Sequence, residues 1–470
     1  MTKRRFVRAV LAGPAALWGP ALLLEAGLVA LVAVGLRLPD DFRNLYGYSR
    51  ETLPFFLSGW GLSRPPALSP QAVSWAWTFL WLGLNLVWLL AVRLAGRART
   101  TLRAVLLPAL LFNLTLGLAL PPLFSTDSLN YLAYGRMVAF HGQNPYTTLP
   151  SAVDDPIRAL SFWNIVCPYG PLWVGLSTAA AGLAGYGNPF GGLLLLKGLA
   201  GLAHLGLAVL AYHLAKGTDL PGLPPAAVAL AVGWSPLFLL EGAGNAHNDL
   251  VMLALALGGL WAWRRGQPWA GYLLLVLSAL VKYVSLLLVF FFLLAWLRRE
   301  AGQRRALLLG KAVLLGILVA GLAVLPFGSS PQAVLTALLG ETTRIRASPV
   351  VFLLQGLERA WSVWPALADR ADSLAFLTLQ VLLKSLLLAL VLAQGTALWR
   401  REGTWEDLLS AWERTALAYI CFLHGATFPW YFTWPAGSAL LGVRSRERRM
   451  LAGLAFGLGV SSGLLYGIPF

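Results

Sequence analysis

The chain has 470 residues, 58% of them hydrophobic and 12% charged, with a formal net charge of +16. A soluble domain carries about 25% charged residues, so a soluble globular protein is excluded. The basic excess sits in short segments between apolar runs, as in the cytoplasmic loops of membrane proteins, and no nucleic-acid partner is expected.

Apolar runs near the length a helix needs to cross about 30 Å of hydrocarbon recur along the whole chain. Backbone groups in lipid must be satisfied internally, and the alternation of a β-barrel is absent, so the expected class is all-α and polytopic. Full spans are expected at 14–36, 71–92, 104–124, 190–215, 222–241, 247–263, 306–326, 372–398, 414–428, 430–443 and 450–468. With a short hairpin and outer-face helices, this amounts to roughly 11–13 transmembrane helices. The run after "MTKRRFVR" continues to Leu36 without a small-residue cleavage site, which predicts a retained first helix rather than a signal peptide. Residues 1–103 are expected to carry an N-terminal helix pair, 104–326 a catalytic core with a large outer loop at 125–189, and 327–470 the helices that complete the cavity.

With the N-terminus in the cytoplasm, the 93–103 loop is also inside and Asp127 opens an outside loop. If 171–187 crossed fully, five later basic clusters would move outside: Arg264-Arg265, Arg298-Arg299, Arg304-Arg305, Arg400-Arg401 and "RSRERR". A short helix that enters and leaves on the outer side keeps all five inside. The stretch after Asp127 places Leu129, Leu132, Met137 and Phe140 at near-helical spacing, which predicts an amphipathic helix along the interface, ended by "GQNPY". Arg136 on that helix either snorkels to lipid headgroups or binds a phosphate.

Basic pairs also flank 268–297, so both of its ends are cytoplasmic. Its length falls short of the roughly 40 residues two full passes need, so a hairpin of two half-length helices is predicted. Lys282-Tyr283 falls at the apex, and an ionisable residue at membrane depth is a functional candidate. The stretch "GAGNAHNDL" (242–250) gathers Asn245, His247, Asn248 and Asp249 at the outer end of the 222–241 helix, a site in preference to a plain solvated turn. In "FPWYFTWP" (428–435), Trp434 is expected to be an interfacial anchor, while Trp430 and Tyr431 are either anchors or a platform for a sugar ring.

A carboxylate, a buried cation and aromatic surfaces on one level suit a reaction on a lipid phosphate that carries a polar group. Lys282 would stabilise the anionic leaving group and Asp127 would take a proton from the acceptor hydroxyl. No P-loop or dinucleotide fingerprint occurs, which fits a lipid-delivered donor. Cys167 and Cys421 are far apart and predict neither a disulfide framework nor a metal site.

At these residues the sequence resembles the glycosyltransferase C superfamily, above all the bacterial polyprenol-phosphate-mannose-dependent α-1,6-mannosyltransferases and their DUF2029 relatives. The matching pieces are "TDSLNYLAYGRMVAFHGQNPY", "YGPLW", "GNAHNDLVM", "AGYLLLVLSALVKY" and "PWYFTW", in order over roughly 120–440. The resemblance implies a multi-pass plasma-membrane enzyme with its site facing the outside or periplasm. It would move a hexose, mannose first, with inversion from a polyprenyl phosphate sugar to a glycan or glycolipid acceptor. It implies Asp127 as general base and donor-side roles for Asn245, His247, Asp249, Lys282 and Tyr283, with Arg136 a further candidate. Asn144, Tyr146, Tyr169, Trp430 and Tyr431 are candidates for the acceptor or sugar platform. Family members commonly pair that aspartate with a second acid; here Thr126 and Ser128 flank it, so no metal or other cofactor is expected. Arg344 and Arg346 could meet the lipid phosphate or simply line a solvated loop. A transporter or flippase would also need buried charges and broken helices, but the hairpin at 268–297 has no counterpart in the other half. A non-catalytic scaffold would not need Lys282 at depth.

Overall fold

The computed structural model describes residues 14–40, 42, 51–122, 125–160, 164–216, 223–328, 331–341, 345, 348–439, 441 and 446–467. The N-terminal basic residues, Arg344, Arg346 and the start of the 444–449 cluster lie outside them. The described chain is helical, and no strand occurs in it. In order come α1 Trp18–Gly35, α2 Thr52–Gly59, α3 Pro70–Ala95, α4 Leu102–Ala119, α5 Asp127–His141, α6 Pro171–Ala184, α7 Pro189–Ala215, α8 Pro225–Gly233 and α9 Pro236–Leu239. They are followed by α10 Asp249–Arg264, α11 Pro268–Val281, α12 Leu286–Arg299, α13 Gly302–Val324 and α14 Pro331–Glu341. The chain continues with α15 Val350–Ser362, α16 Ala371–Arg400, α17 Trp405–Ala418, α18 Thr433–Ala439 and α19 Arg446–Leu464. Among the described residues, 7 helices are long and apolar enough to cross a membrane, or up to 8 if the pair 225–233 and 236–244, bent by 49°, is one span.

Lipid gives apolar side chains no reason to prefer the interior, so interhelical hydrogen bonds and close approach must hold such a bundle together. Buried indoles supply many of these bonds. Trp77 and Trp81 of α3 donate to the carbonyls of Gly463 and Val460 on α19, and Trp88 donates to Ala231 on α8. Trp234, in the break between α8 and α9, donates to Val105 on α4. Each N–H thus finds a carbonyl that a lipid tail could not offer.

Both irregular predictions survive as local structure. The 268–297 hairpin is two helices of 14 residues each, α11 and α12, separated by Lys282 and a tight turn at Tyr283–Ser285. Ser278 pins the apex by donating to the Met252 carbonyl at 2.7 Å, and its hydroxyl lies 2.9 Å from that of Ser285. The helix expected at 171–187 is α6, whose 14 residues are too few to cross.

Other expectations are corrected. The 247–263 segment is α10, 16 residues long. The two spans expected at 414–428 and 430–443 are instead α17 with a π-turn at Tyr419–Leu423, an irregular stretch, a 3-10 turn at Pro429–Phe432, and the 7-residue α18. Pro429 lacks the N–H that would continue the first helix. The helix after Asp127 forms, but not on the interface: every residue from Asp127 to Met137 is buried. Gly135 explains how α6 covers it, because a Cβ there would stand 2.4 Å from the Ser177 backbone. Only glycine permits that approach.

The bundle has two chemically different ends. α10 runs about 24 Å, at 1.5 Å per residue, from Asp249 to Arg264. Around Arg264, basic side chains close helix C-termini: Arg264 donates to Leu214, Arg298 to Trp399 at 3.0 Å and Arg305 to Leu297, while Arg299 donates to Gly403 in the loop before α17. Cations are favoured there by the helix dipole. Asp127, His247 and Asp249 lie toward the opposite end. In a Cys421→Ala background, Gln143→Cys and Arg265→Cys, both at exposed positions, are therefore expected to label with an impermeant maleimide from opposite sides of sealed vesicles; labelling of both from one side would contradict this architecture.

Candidate active site

Two chain segments carry the polar residues of the site, and one lysine clamps both. Lys197 of α7 is fully buried, and its ammonium donates to the carbonyl of Leu120, just past α4, and to that of Gly244 at 2.9 Å. Helix C-termini leave carbonyls unsatisfied and carry partial negative charge, so a single cation suits two of them at once. Asp127 follows the first of these ends and His247 the second.

The stretch 242–250 is a buried reversal, not a solvated turn. A π-turn at Leu240–Gly244 leads into it, and Asn245, His247, Asn248 and Asp249 are all fully buried. Its backbone donors are satisfied locally: Asn245 N–H to Leu240, Ala246 to Gly242, and His247 to Glu241 at 2.9 Å. Ala246 adopts φ of +57°, a left-handed conformation unusual for a residue with a Cβ. That reversal points the His247 ring back toward the helix it has just left.

The His247 imidazole lies between two carboxylates. Its Nδ1 is 3.6 Å from Asp127 Oδ2 and its Nε2 is 3.3 Å from Glu241 Oε2. The ring stacks on Trp430 with centroids 4.0 Å apart, and Trp430 stacks in turn on Phe428. Glu241 also accepts hydrogen bonds from Asn245 at 3.0 Å and from the Tyr466 hydroxyl at 3.0 Å. The Tyr131 hydroxyl sits 3.5 Å from Asp127 Oδ2 and 3.4 Å from Asn248 Oδ1. Beside Asn248, Asp249 receives the Lys282 ammonium on both oxygens, at 2.8 and 2.9 Å, and the Trp434 indole N–H at 2.5 Å. The ammonium also faces the rings of Tyr431 and Trp434 at 4.8 and 5.3 Å.

Asp127 and Lys282, 155 residues apart in sequence (282 − 127), thus belong to one cluster, bridged by Tyr131, Asn248 and Asp249. Gly170 shows why the outer loop joins it. Its N–H donates to the Val281 carbonyl at 3.2 Å, and a Cβ there would collide with Leu280. The neighbouring Tyr169 therefore lies against the hairpin apex, and its ring meets that of Tyr131 edge-on at 4.6 Å. Tyr146 donates to the Tyr169 carbonyl at 2.9 Å, and the Asn144 side chain accepts from the Tyr146 N–H at 3.0 Å. Asn144 thus shapes the loop. Tyr283 is half-buried in the apex turn.

Trp434 belongs to the cluster, not to an interfacial belt, because it is buried and bonded to Asp249. Arg136 does neither thing expected of it. It is fully buried, it donates from Nε to Asp155 Oδ1 at 2.9 Å and from Nη2 to the Tyr186 carbonyl, and it packs on Phe140 and Tyr186. Sequence reasoning missed Tyr131, Glu241, Tyr466 and Lys197. Glu241 and Lys197 did carry a signal, since both are ionisable residues inside apolar runs. Among the described residues, no group of three or more His, Cys, Asp or Glu side chains is placed to hold a metal ion.

Burial alone would raise the Asp155 carboxyl, but hydrogen bonds from Arg136, His141 and the Ile157 N–H outweigh it and hold the group below its ordinary 3.8. A depressed acid contributes stability above 3.8, which is lost as pH falls through the lower folded value. Breaking a buried pair costs about 3–5 kcal/mol. Asp155→Asn is therefore expected to lower the melting temperature in detergent at pH 7, with the gap to the parent protein narrowing progressively as pH falls below 3.8 towards the depressed folded value; a gap that stays constant through that fall would refute the pairing.

Comparison with known proteins agrees with this architecture. Residues 59–298 match the family profile described as alpha-(1->6)-mannopyranosyltransferase, N-terminal domain. The chain is 30% identical over 464 residues to alpha-(1->6)-mannopyranosyltransferase A of Mycobacterium tuberculosis, covering 93% of this chain and 82% of that protein. It is 27% identical over 282 residues to a probable alpha-(1->6)-mannopyranosyltransferase of Mycolicibacterium smegmatis, covering 52% of this chain and 49% of the other. No solved structure matches. An all-helical membrane bundle with a buried acid–imidazole–cation centre and this relationship makes the chain a member of the alpha-(1->6)-mannopyranosyltransferase family.

Proposed function

We propose that the protein transfers mannose, with inversion, from a polyprenyl phosphate sugar to a glycan or glycolipid acceptor, and that Asp127 is the general base. One observation carries this assignment: of the three acids in the centre, the Asp127 side chain is 9% exposed while those of Glu241 and Asp249 are 0%. Asp249 is held by Lys282 and Trp434, and Glu241 by Asn245 and Tyr466. Asp127 is the carboxylate that an incoming hydroxyl can reach.

The acceptor hydroxyl gives its proton to Asp127 as its oxygen bonds the anomeric carbon. The bond from that carbon to the phosphate oxygen breaks, and the electron pair leaves with the polyprenyl phosphate. A single displacement of this kind inverts the centre, so a β-linked donor yields an α-product. Lys282, 13% exposed at the hairpin apex, offsets the charge that grows on the phosphate. The Tyr131 hydroxyl and the His247 ring flank Asp127 and limit its side-chain freedom. On the donor side Asp249 orients Lys282 from behind, Asn245 and His247 support the centre from the interior, and Tyr283 is placed to meet the donor; sugar contacts from Trp430, Tyr431 and Tyr169 complete the assignment.

The basic end of the bundle belongs in the cytoplasm by the positive-inside rule, so the site faces the outer side of the plasma membrane. There cytosolic nucleotide sugars are absent and a lipid-carried donor is required. Thr126 and Ser128 offer no second carboxylate beside Asp127, which supports turnover without a metal. Family membership favours this chemistry over transport or lipid flipping.

Removing a positioned base costs about 10²–10⁴-fold in rate. Asp127→Asn is expected to reduce mannose transfer from polyprenyl phosphate mannose on that scale, with donor binding and folding retained and with EDTA without effect on the parent protein. Near-normal turnover would overturn the assignment of the base. Lys282→Met combined with Asp249→Asn removes both charges together, and the expected outcome is a rise in donor KM of about tenfold or more. An unchanged donor KM would show that the pair is structural only.

A further inference from the structure

A cavity lies between the outer loop and α14. Its volume is about 730 Å³, within the range of small-molecule clefts. Tyr146, Thr147 and Asn164 line it from the loop, and Gln332 and Thr336 line it from α14. Among the described residues that line it, none is charged.

We propose that this cavity is an acceptor subsite for the neutral sugar units that lie behind the one receiving the new mannose. The proposal rests on the mannosyl-transfer function put forward above. Three observations carry it. The cavity adjoins the centre: Tyr146 forms part of its wall and donates to Tyr169, whose ring packs on Tyr131, whose hydroxyl lies 3.5 Å from Asp127. A glycan whose terminal hydroxyl meets Asp127 would extend in that direction. The lining also matches a polyol. Hydroxyls and primary amides both donate and accept hydrogen bonds, as sugar hydroxyls do, and the apolar remainder suits the C–H faces of a pyranose. Finally, no described lining cation is present to hold a phosphate, which sets this cavity apart from the Lys282 end of the site.

Gln332 and Thr336 are exposed on α14, one helical turn apart, so larger side chains there fill the cavity without entering the core. The test measures transfer from polyprenyl phosphate mannose to octyl glycosides carrying one, two, three or four α-1,6-linked mannose residues, with the parent protein and with Gln332→Trp and Thr336→Trp. The parent protein is expected to show an acceptor KM that falls about tenfold from one to three residues, and both variants are expected to lose most of that gain while donor KM is unaffected. Transfer with no length dependence in the parent, a length dependence that both variants retain, or a uniform loss at every length would overturn the subsite alone. A change in donor KM instead would assign the cavity to the lipid donor and also overturn it. Absence of transfer to every acceptor by the folded parent protein would overturn the mannosyl-transfer function and the subsite with it.

Discussion

The ion pair between Lys282 and Asp249 is the constraint around which the rest of the bundle is arranged. A lysine at the centre of a bilayer costs about 2.5–3.5 kcal/mol on insertion scales, and a carboxylate buried beside it costs a comparable amount. Neither charge is tolerable alone, so the hairpin apex, the start of α10 and α18 must come together as a unit. Two oxygens of Asp249 meet the ammonium, the Trp434 indole fills a further acceptor position, and two aromatic faces cover the cation. The half-length helices α11 and α12 follow from this, because full-length ones would carry Lys282 past its partner.

The same low dielectric raises the cost of any misplacement of the other polar groups. Three carboxylates within one cluster would repel each other in a uniform environment. Here each has a different set of neighbours: Asp249 has a cation, Glu241 has neutral hydrogen-bond donors, and Asp127 has a phenol and an imidazole beside it with a small opening outward. Lys197 supports this from below by closing two helix ends with one ammonium. The left-handed Ala246 is the local strain that aims His247 at both acids.

Much of this was legible in the linear chain because the bilayer imposes length and charge rules that act locally. Basic pairs at both ends of 268–297 demand an even number of crossings, and its length forbids two full ones, so the short hairpin and its apex lysine follow from counting. The same counting identified the short helix after Gly170. The dense polar stretch 245–249 stands out because polar residues are rare near apolar runs. The counting failed where helices break for packing reasons. In 414–443 Gly425 and Pro429 mark the irregular stretch after Leu423, but hydropathy cannot tell a short buried helix from a span. Hydrophobic spacing in 127–141 suggested a surface helix, but Gly135 lets α6 lie against its other face.

The sequence by itself determined the class, the short hairpin with its apex lysine, and Asp127 as a candidate, since these depend on segment length, charge and local composition. Only the tertiary structure decided which groups touch. Glu241 meets Tyr466 across 225 positions and Trp434 meets Asp249 across 185, while Arg136 is taken up by Asp155 and Tyr186 instead of the site. Partners so distant along the chain are chosen by how helices pack, and packing depends on close approaches such as Gly135 and Gly170 that no local pattern reveals.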